Sequence, residues 1–161
     1  MTIKVGDKLP SVTLRQVTPE GPKEVTTDEF FRGKKVALFA VPGAFTPACS
    51  QRHLPGYVEK AVDIKSKGVD EVACVAVNDA AVMTAWGKDQ KTEGKVTMLA
   101  DGSGDFARAL GLELDLIKAG LGIRSKRYSM LVENGIVKSL NVEQQPGQVD
   151  VSGAEAMLRA L

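Results

Sequence analysis

Cys49 stands where a cysteine can do chemistry. It follows the apolar run Val36-Ala37-Leu38-Phe39-Ala40-Val41, the turn Pro42-Gly43-Ala44-Phe45 and the pair Thr46-Pro47. Thr46 suits an N-cap and Pro47 a first helical position, which makes Cys49 the third residue of the helix that follows. First-turn N–H groups have no intrahelical acceptor, and together with the helix dipole they favour an anion. The thiolate is the nucleophilic form of cysteine. The order is strand, tight turn, nucleophile at a helix start, and in open α/β sheets ligands bind beyond the C-terminal ends of the strands. The opposing reading is a small core residue, because cysteine is among the most buried types.

The other chemically capable residues are few. His53 lies four residues after Cys49, so a Cys–His dyad for acyl transfer is one reading and a structural hydrogen-bonding role the other. Against the dyad, Pro55 distorts the turn and no acid or amide is placed to orient the ring. Cys74 sits inside the apolar run Val72 to Val77 and reads as core; a disulfide with Cys49 needs Cα atoms within ~7 Å, or local unfolding. Arg124, Lys126 and Arg127 form a basic cluster, either a solvated face or a source of donors, and the residues alone do not choose between the two arginines. Met83 and Trp86 read as core. Phe45 and Phe30 are pocket walls, dimer contacts or core. With one His, two Cys and no Cys-x-x-Cys, a tetrahedral zinc site would have to recruit carboxylates, so neither metal nor cofactor is expected.

The elements that position these residues follow from local pattern. Val12 and Leu14 alternate with polar neighbours and predict a first strand. Thr26-x-x-Glu29 has the form of a capping box, opening a short helix that Gly33 ends. The unbroken runs 36–41 and 72–77 predict strands buried on both faces. Between them, Leu54, Tyr57, Val58, Ala61 and Val62 recur at helical spacing, with a kink expected at Pro55-Gly56; the whole is a βαβ unit. A helix over 80–88, a strand over 96–100 and a short helix over 106–110 come next. Tyr128 to Val132 and Ile136 to Val142 flank Asn134-Gly135, a hairpin signal. Ser152-x-x-Glu155 predicts the cap of a last helix carrying Met157, Leu158 and Leu161 on its apolar side. These elements make an α/β fold, a mixed central sheet with helices on both faces.

Composition narrows the function. At 161 residues the chain reads as one domain, 1–161, large enough to bury a core unaided. Lys+Arg 21 against Asp+Glu 20 leaves +1, which gives no bulk field for nucleic acid or an acidic membrane surface. No segment approaches the ~20 apolar residues of a membrane span. The N-terminal residues lack the apolar stretch of a signal peptide, so a reducing, cytoplasmic setting is expected.

The segment Val41-Pro42-Gly43-Ala44-Phe45-Thr46-Pro47-Ala48-Cys49-Ser50 resembles the active-site segment of peroxiredoxins, Pro-x-x-x-Thr-x-x-Cys, and more narrowly that of the atypical type II or Prx5-like branch. The resemblance extends through Val5-Gly6-Asp7, His53-Leu54-Pro55-Gly56-Tyr57-Val58-Glu59, Val77-Asn78-Asp79, Leu99 to Gly104 and Arg124 to Met130. It implies a thioredoxin-like fold and reduction of hydrogen peroxide and alkyl hydroperoxides to water and alcohols. It also implies roles: Cys49 as peroxidatic cysteine, Thr46 as a hydrogen-bonding partner of thiolate and peroxide, Pro42 as a shield from water, and Arg127 as the pocket arginine. Thr46 as a plain N-cap stays open. Ala48 departs from relatives that carry Thr or Gly there. His53 belongs to the His-Leu-Pro-Gly segment, where it is not the catalytic base. Two-cysteine relatives resolve the sulfenic acid with a C-terminal cysteine, and residues 137–161 contain none. The resemblance therefore implies an external thiol, glutathione with glutaredoxin or thioredoxin, and a homodimer. A peroxide sensor or redox relay that passes oxidation from Cys49 to a partner is the alternative; turnover with small thiols separates the two. A dithiol–disulfide oxidoreductase is disfavoured by the missing Cys-x-x-Cys.

Overall fold

The computed structural model describes residues 2–161. The chain runs β1 (Thr13–Gln16), β2 (Lys23–Thr26), α1 (Thr27–Phe31), β3 (Lys35–Val41), a π-helical turn (Cys49–His53), α2 (Leu54–Ser66), β4 (Glu71–Ala76), α3 (Ala80–Asp89) and β5 (Thr97–Ala100). It continues as α4 (Asp105–Leu110), β6 (Glu113–Leu116), a 3-10 turn (Ile117–Ala119), β7 (Gly122–Ser125), β8 (Tyr128–Glu133), β9 (Ile136–Val142) and α5 (Ala154–Ala160).

Seven strands form one mixed sheet in the order β2-β1-β5-β4-β3-β8-β9. β3, β4 and β5 are parallel neighbours, and the other pairings are antiparallel. The parallel trio is central, as the unbroken apolar runs require, since helices must cover both faces of such strands. Alternation along β3 divides the core. Ala37, Phe39 and Val41 pack with α2, α3 and α5 residues such as Tyr57, Trp86 and Met157. Val36, Leu38 and Ala40 pack with Phe30 and Phe31 of α1 and Phe106 and Leu110 of α4. Phe30, 3% exposed and edge-on to Phe31, is therefore core. Phe39 stacks on Tyr57 with ring centroids 3.9 Å apart, a contact worth about 1 kcal/mol beyond its buried area.

Local chemistry explains most boundaries. The Thr26 capping box forms, and Gly33 takes φ 68° just beyond α1. Asn134 and Gly135 both adopt positive φ, 49° and 81°, as a two-residue hairpin turn between right-twisted strands demands. Two expectations need correction, and three strands lie outside what local pattern predicts. β2 and the small β6–β7 sheet carry no strong strand signal, and pairing with neighbours supplies what propensity lacks. The irregularity expected at Pro55-Gly56 lies just before them, in a wider turn over Cys49–His53 with Leu54 N–H donating to the Cys49 carbonyl five residues back. Ser152 does not cap α5: Gly153 holds that position, and the Ser152 hydroxyl is buried and donates to Glu143 instead. A fully buried hydroxyl takes the acceptor that tertiary packing offers.

Candidate active site

The site lies beyond the C-terminal ends of β3, β4 and β5, where the loops 42–46, 77–79 and 101–104 meet. The chain leaves β3 at Val41 and turns through Pro42 to Phe45, and Phe45 takes φ 65°. Asn78 at the end of β4 holds this turn, its Oδ1 accepting the Ala44 N–H at 2.9 Å. Helical backbone begins at Pro47, and Ser50 N–H donates to the Thr46 carbonyl at 2.9 Å. The Trp86 indole N–H donates to Ser50 Oγ at 3.0 Å. Cys49 is 0% exposed, at the start of the π turn. An extra residue in a helical turn is a common device at functional sites, and here the wide turn ends immediately before Pro55, whose ring would crowd a regular α turn.

Arg127 directs each guanidinium nitrogen at a different partner. Nη2 donates to Cys49 Sγ at 3.1 Å, Nη1 donates to His53 Nδ1 at 2.9 Å, and Nε donates to the Pro146 carbonyl at 2.9 Å. The side chain is 2% exposed, so the cation sits in a low dielectric, where its interactions are strong. His53 Nε2 faces the Ser152 carbonyl at 3.0 Å. A carbonyl only accepts, so Nε2 carries the proton and Nδ1 presents its lone pair to Arg127. Burial, with the Arg127 charge beside it, pushes the imidazole down to about 3. His53 is thus a neutral, fully engaged ring turned toward Arg127, with no lone pair left to take a proton from Cys49.

The remaining expected site residues fall in the same loop. The Thr46 hydroxyl donates to the Gly43 carbonyl at 2.7 Å, which leaves its lone pairs free to accept. Pro42 is buried, and its carbonyl accepts Arg124 Nη1 at 3.2 Å. Arg124 Nε also donates to the Leu121 carbonyl at 2.7 Å. The two arginines therefore differ in target: Arg127 reaches sulfur and Arg124 braces the loop. Glycine at 43 leaves room for Arg124, whose Nη1 would lie 2.8 Å from a Cβ placed there, with the Thr46 methyl at 3.2 Å. Sequence reasoning missed the braces. Arg124 acts through a carbonyl, and the 143–152 loop contacts the site through carbonyls too, so side-chain type carries little trace of them.

Cys74 is in mid-β4, flanked in the sheet by Phe39 and Met98, and is 0% exposed. Burial pushes its thiol well above the usual range. Both cysteines are free. No group of three potential metal-ligating side chains occurs among the described residues. No helix there is long and apolar enough to cross a membrane.

The chain belongs to the Redoxin family, whose model matches residues 4–158. It is similar to chloroplastic Peroxiredoxin-2E of Arabidopsis thaliana, 52% identical over 99% of this chain and 70% of the relative. It is also similar to reduced Prx3 of Vibrio vulnificus solved with hydrogen peroxide: 53% identical, TM-score 0.93, covering 99% of each chain. Peroxiredoxin 5 of Alvinella pompejana is 40% identical with a TM-score of 0.86, covering 98% of this chain and 97% of that one. Within the family the resemblance is to type II, Prx5-like peroxiredoxins on a thioredoxin-like fold, and the activity is that of a thiol peroxidase.

Proposed function

We propose that Cys49 is the peroxidatic nucleophile and that Arg127, Thr46 and Pro42 build its pocket. The observation that carries this reading is the Arg127 Nη2 contact to Cys49 Sγ at 3.1 Å in a buried site. The Cys49 thiolate attacks one oxygen of a hydroperoxide. An S–O bond forms, the O–O bond breaks, and the electron pair leaves with the second oxygen, which takes a proton to become water or an alcohol. Sulfur is oxidised to a sulfenic acid and the peroxide is reduced. Negative charge grows on the leaving oxygen, so donors fixed beforehand stabilise the transition state more than the ground state. Arg127 supplies a charge that cannot titrate away, and Thr46, whose proton goes to the Gly43 carbonyl, supplies lone pairs that accept a peroxide O–H. Pro42, buried at the loop's start, excludes water from one side.

The sulfenic acid condenses with an external thiol, releasing water and leaving a mixed disulfide that a second thiol reduces. Glutathione with glutaredoxin, or thioredoxin, fits this step. The support is that Cys74 is buried inside a strand and that residues 137–161 hold no cysteine. The reductant's thiol reaches the sulfur when the turn around Cys49 opens. Free thiols at both cysteines favour a reducing, cytoplasmic setting. A homodimer fits the exposed Phe45, Ile117 and Ile123, which lie on the site loop and on the β6–β7 arm that Arg124 ties to it.

Peptide mass analysis after brief exposure of the reduced protein to one equivalent of hydrogen peroxide tests the reading. One oxygen added at Cys49, with Cys74 unchanged, is expected. A Cys49–Cys74 disulfide would overturn the external thiol, and no change at Cys49 would overturn the peroxidatic assignment.

A further inference from the structure

Glu143 is a buried carboxylate, 7% exposed, just past the end of β9. It takes part in none of the ion pairs found among the described residues. Its Oε2 accepts three hydrogen bonds from the loop that follows: Asp150 N–H at 2.6 Å, Ser152 N–H at 2.8 Å and Ser152 Oγ at 2.6 Å. A buried charge without a counter-ion is costly unless donors replace its water, and these donors do so. Their effect is to close residues 143–152 into a loop pinned at both ends. At the start of that loop, Glu143 N–H donates to the Arg127 carbonyl at 2.9 Å.

The loop returns its own carbonyls to the site. Pro146 O accepts Arg127 Nε, and Ser152 O accepts both His53 Nε2 and, at 2.8 Å, the Tyr57 hydroxyl. His53 in turn accepts Arg127 Nη1. Two of the three directions that aim the guanidinium are therefore set by a loop that one carboxylate oxygen ties at its far end, with Arg52 Nη2 donating to the Gly147 carbonyl at 2.6 Å midway.

We infer that Glu143 is a positioning residue for peroxide reduction: by folding the 143–152 loop it fixes the Arg127 guanidinium and the His53 ring, and so the donor at Cys49. The inference rests on Cys49 being the peroxidatic residue. Displacing a catalytic donor by an ångström from a distance costs about a hundredfold, so truncation at 143 should be visible in the rate of the chemical step.

The experiment is a double-mutant cycle on the second-order rate of Cys49 oxidation by hydrogen peroxide, read by quenching and peptide mass, with circular dichroism to check the fold. Glu143→Ala is expected to slow oxidation about thirtyfold in the native background and less than about twofold in Arg127→Ala, because the effect passes through Arg127. Glu143→Gln keeps an acceptor oxygen and is expected to recover most of the rate. Should Glu143→Ala fail to fold, Ser152→Ala carries the test: it removes one donor and keeps the main chain, and a loss of about threefold is expected, again absent in Arg127→Ala. Equal losses in both backgrounds, or full rate in the folded variants, overturn the positioning role. A native chain that is itself inert toward peroxide overturns the functional reading and this inference with it.

Discussion

Arg127 and His53 are one unit, because each fixes the other's hydrogen-bonding role. If the guanidinium stabilises the leaving oxygen, Arg127→Ala slows Cys49 oxidation by about a hundredfold to a thousandfold, the usual loss for a preorganised donor; stopped peroxide consumption measures it. Cys49→Ser abolishes consumption, and Cys74→Ser leaves most of it, as a peroxide assay with excess thiol will show. His53 adds a pH signature. It stays neutral in the folded chain down to about 3, against an ordinary 6.5. Below pH 6.5 the unfolded chain binds a proton that the folded one refuses. Its contribution to stability is thus full above 6.5 and lost as pH falls toward 3, with a slope of up to about 1.4 kcal/mol per pH unit. His53 is the sole histidine, so denaturant titrations at pH 7.5, 6.0 and 5.0 should show a loss that His53→Gln flattens. At this scale Cys49's place was legible, since Thr46-Pro47 and the preceding apolar run are local signals. The choice between Arg124 and Arg127 was not. Residues three apart in one basic cluster part ways only when β7 and β8 diverge, one toward a loop carbonyl and the other toward sulfur.

Elements were legible where a local rule is strong and obscure where tertiary contact decides. The capping box at Thr26 and the Asn134-Gly135 turn obey backbone chemistry that no distant contact needs to supply. Asn134 does more than turn the chain: its Oδ1 accepts the Gly33 N–H at 2.7 Å, joining the hairpin to the end of α1. Asn134→Ala loses that bond and places a less tolerant residue at positive φ. It should cost about 1–2 kcal/mol in denaturant unfolding and leave the oxidation rate unchanged, since the hairpin tip is at the opposite end of the strands from Cys49. The π turn at Cys49–His53 and the uncapped start of α5 were not legible. The first depends on how a helix meets Pro55 while keeping both Cys49 and His53 buried. The second depends on Ser152 finding a carboxylate nine residues earlier in the chain.

For the whole molecule, sequence pattern gave the α/β class and the parallel centre, because strands buried on both faces must be apolar throughout. It left the β6–β7 arm unmarked. That arm presents Ile123, 40% exposed, and leads from Ile117 at 62%, beside a site loop that presents Phe45 at 51%. If this face is shared by two copies, sedimentation gives twice the 17.1 kDa chain mass, and Phe45→Asp shifts the population to monomer by burying a charge in an apolar contact. A single 17.1 kDa species for the native chain at micromolar concentration would remove the dimer.

The bond between Trp86 and Ser50 has a practical consequence. The chain holds one tryptophan, and its indole N–H is tied to Ser50, the residue next to Cys49. Any event that loosens the first turn breaks that bond and changes what surrounds the ring. The molecule thus carries its own optical gauge: a change in the Cys49 turn would register in unlabelled emission in real time, in the same sample whose thiols are being counted.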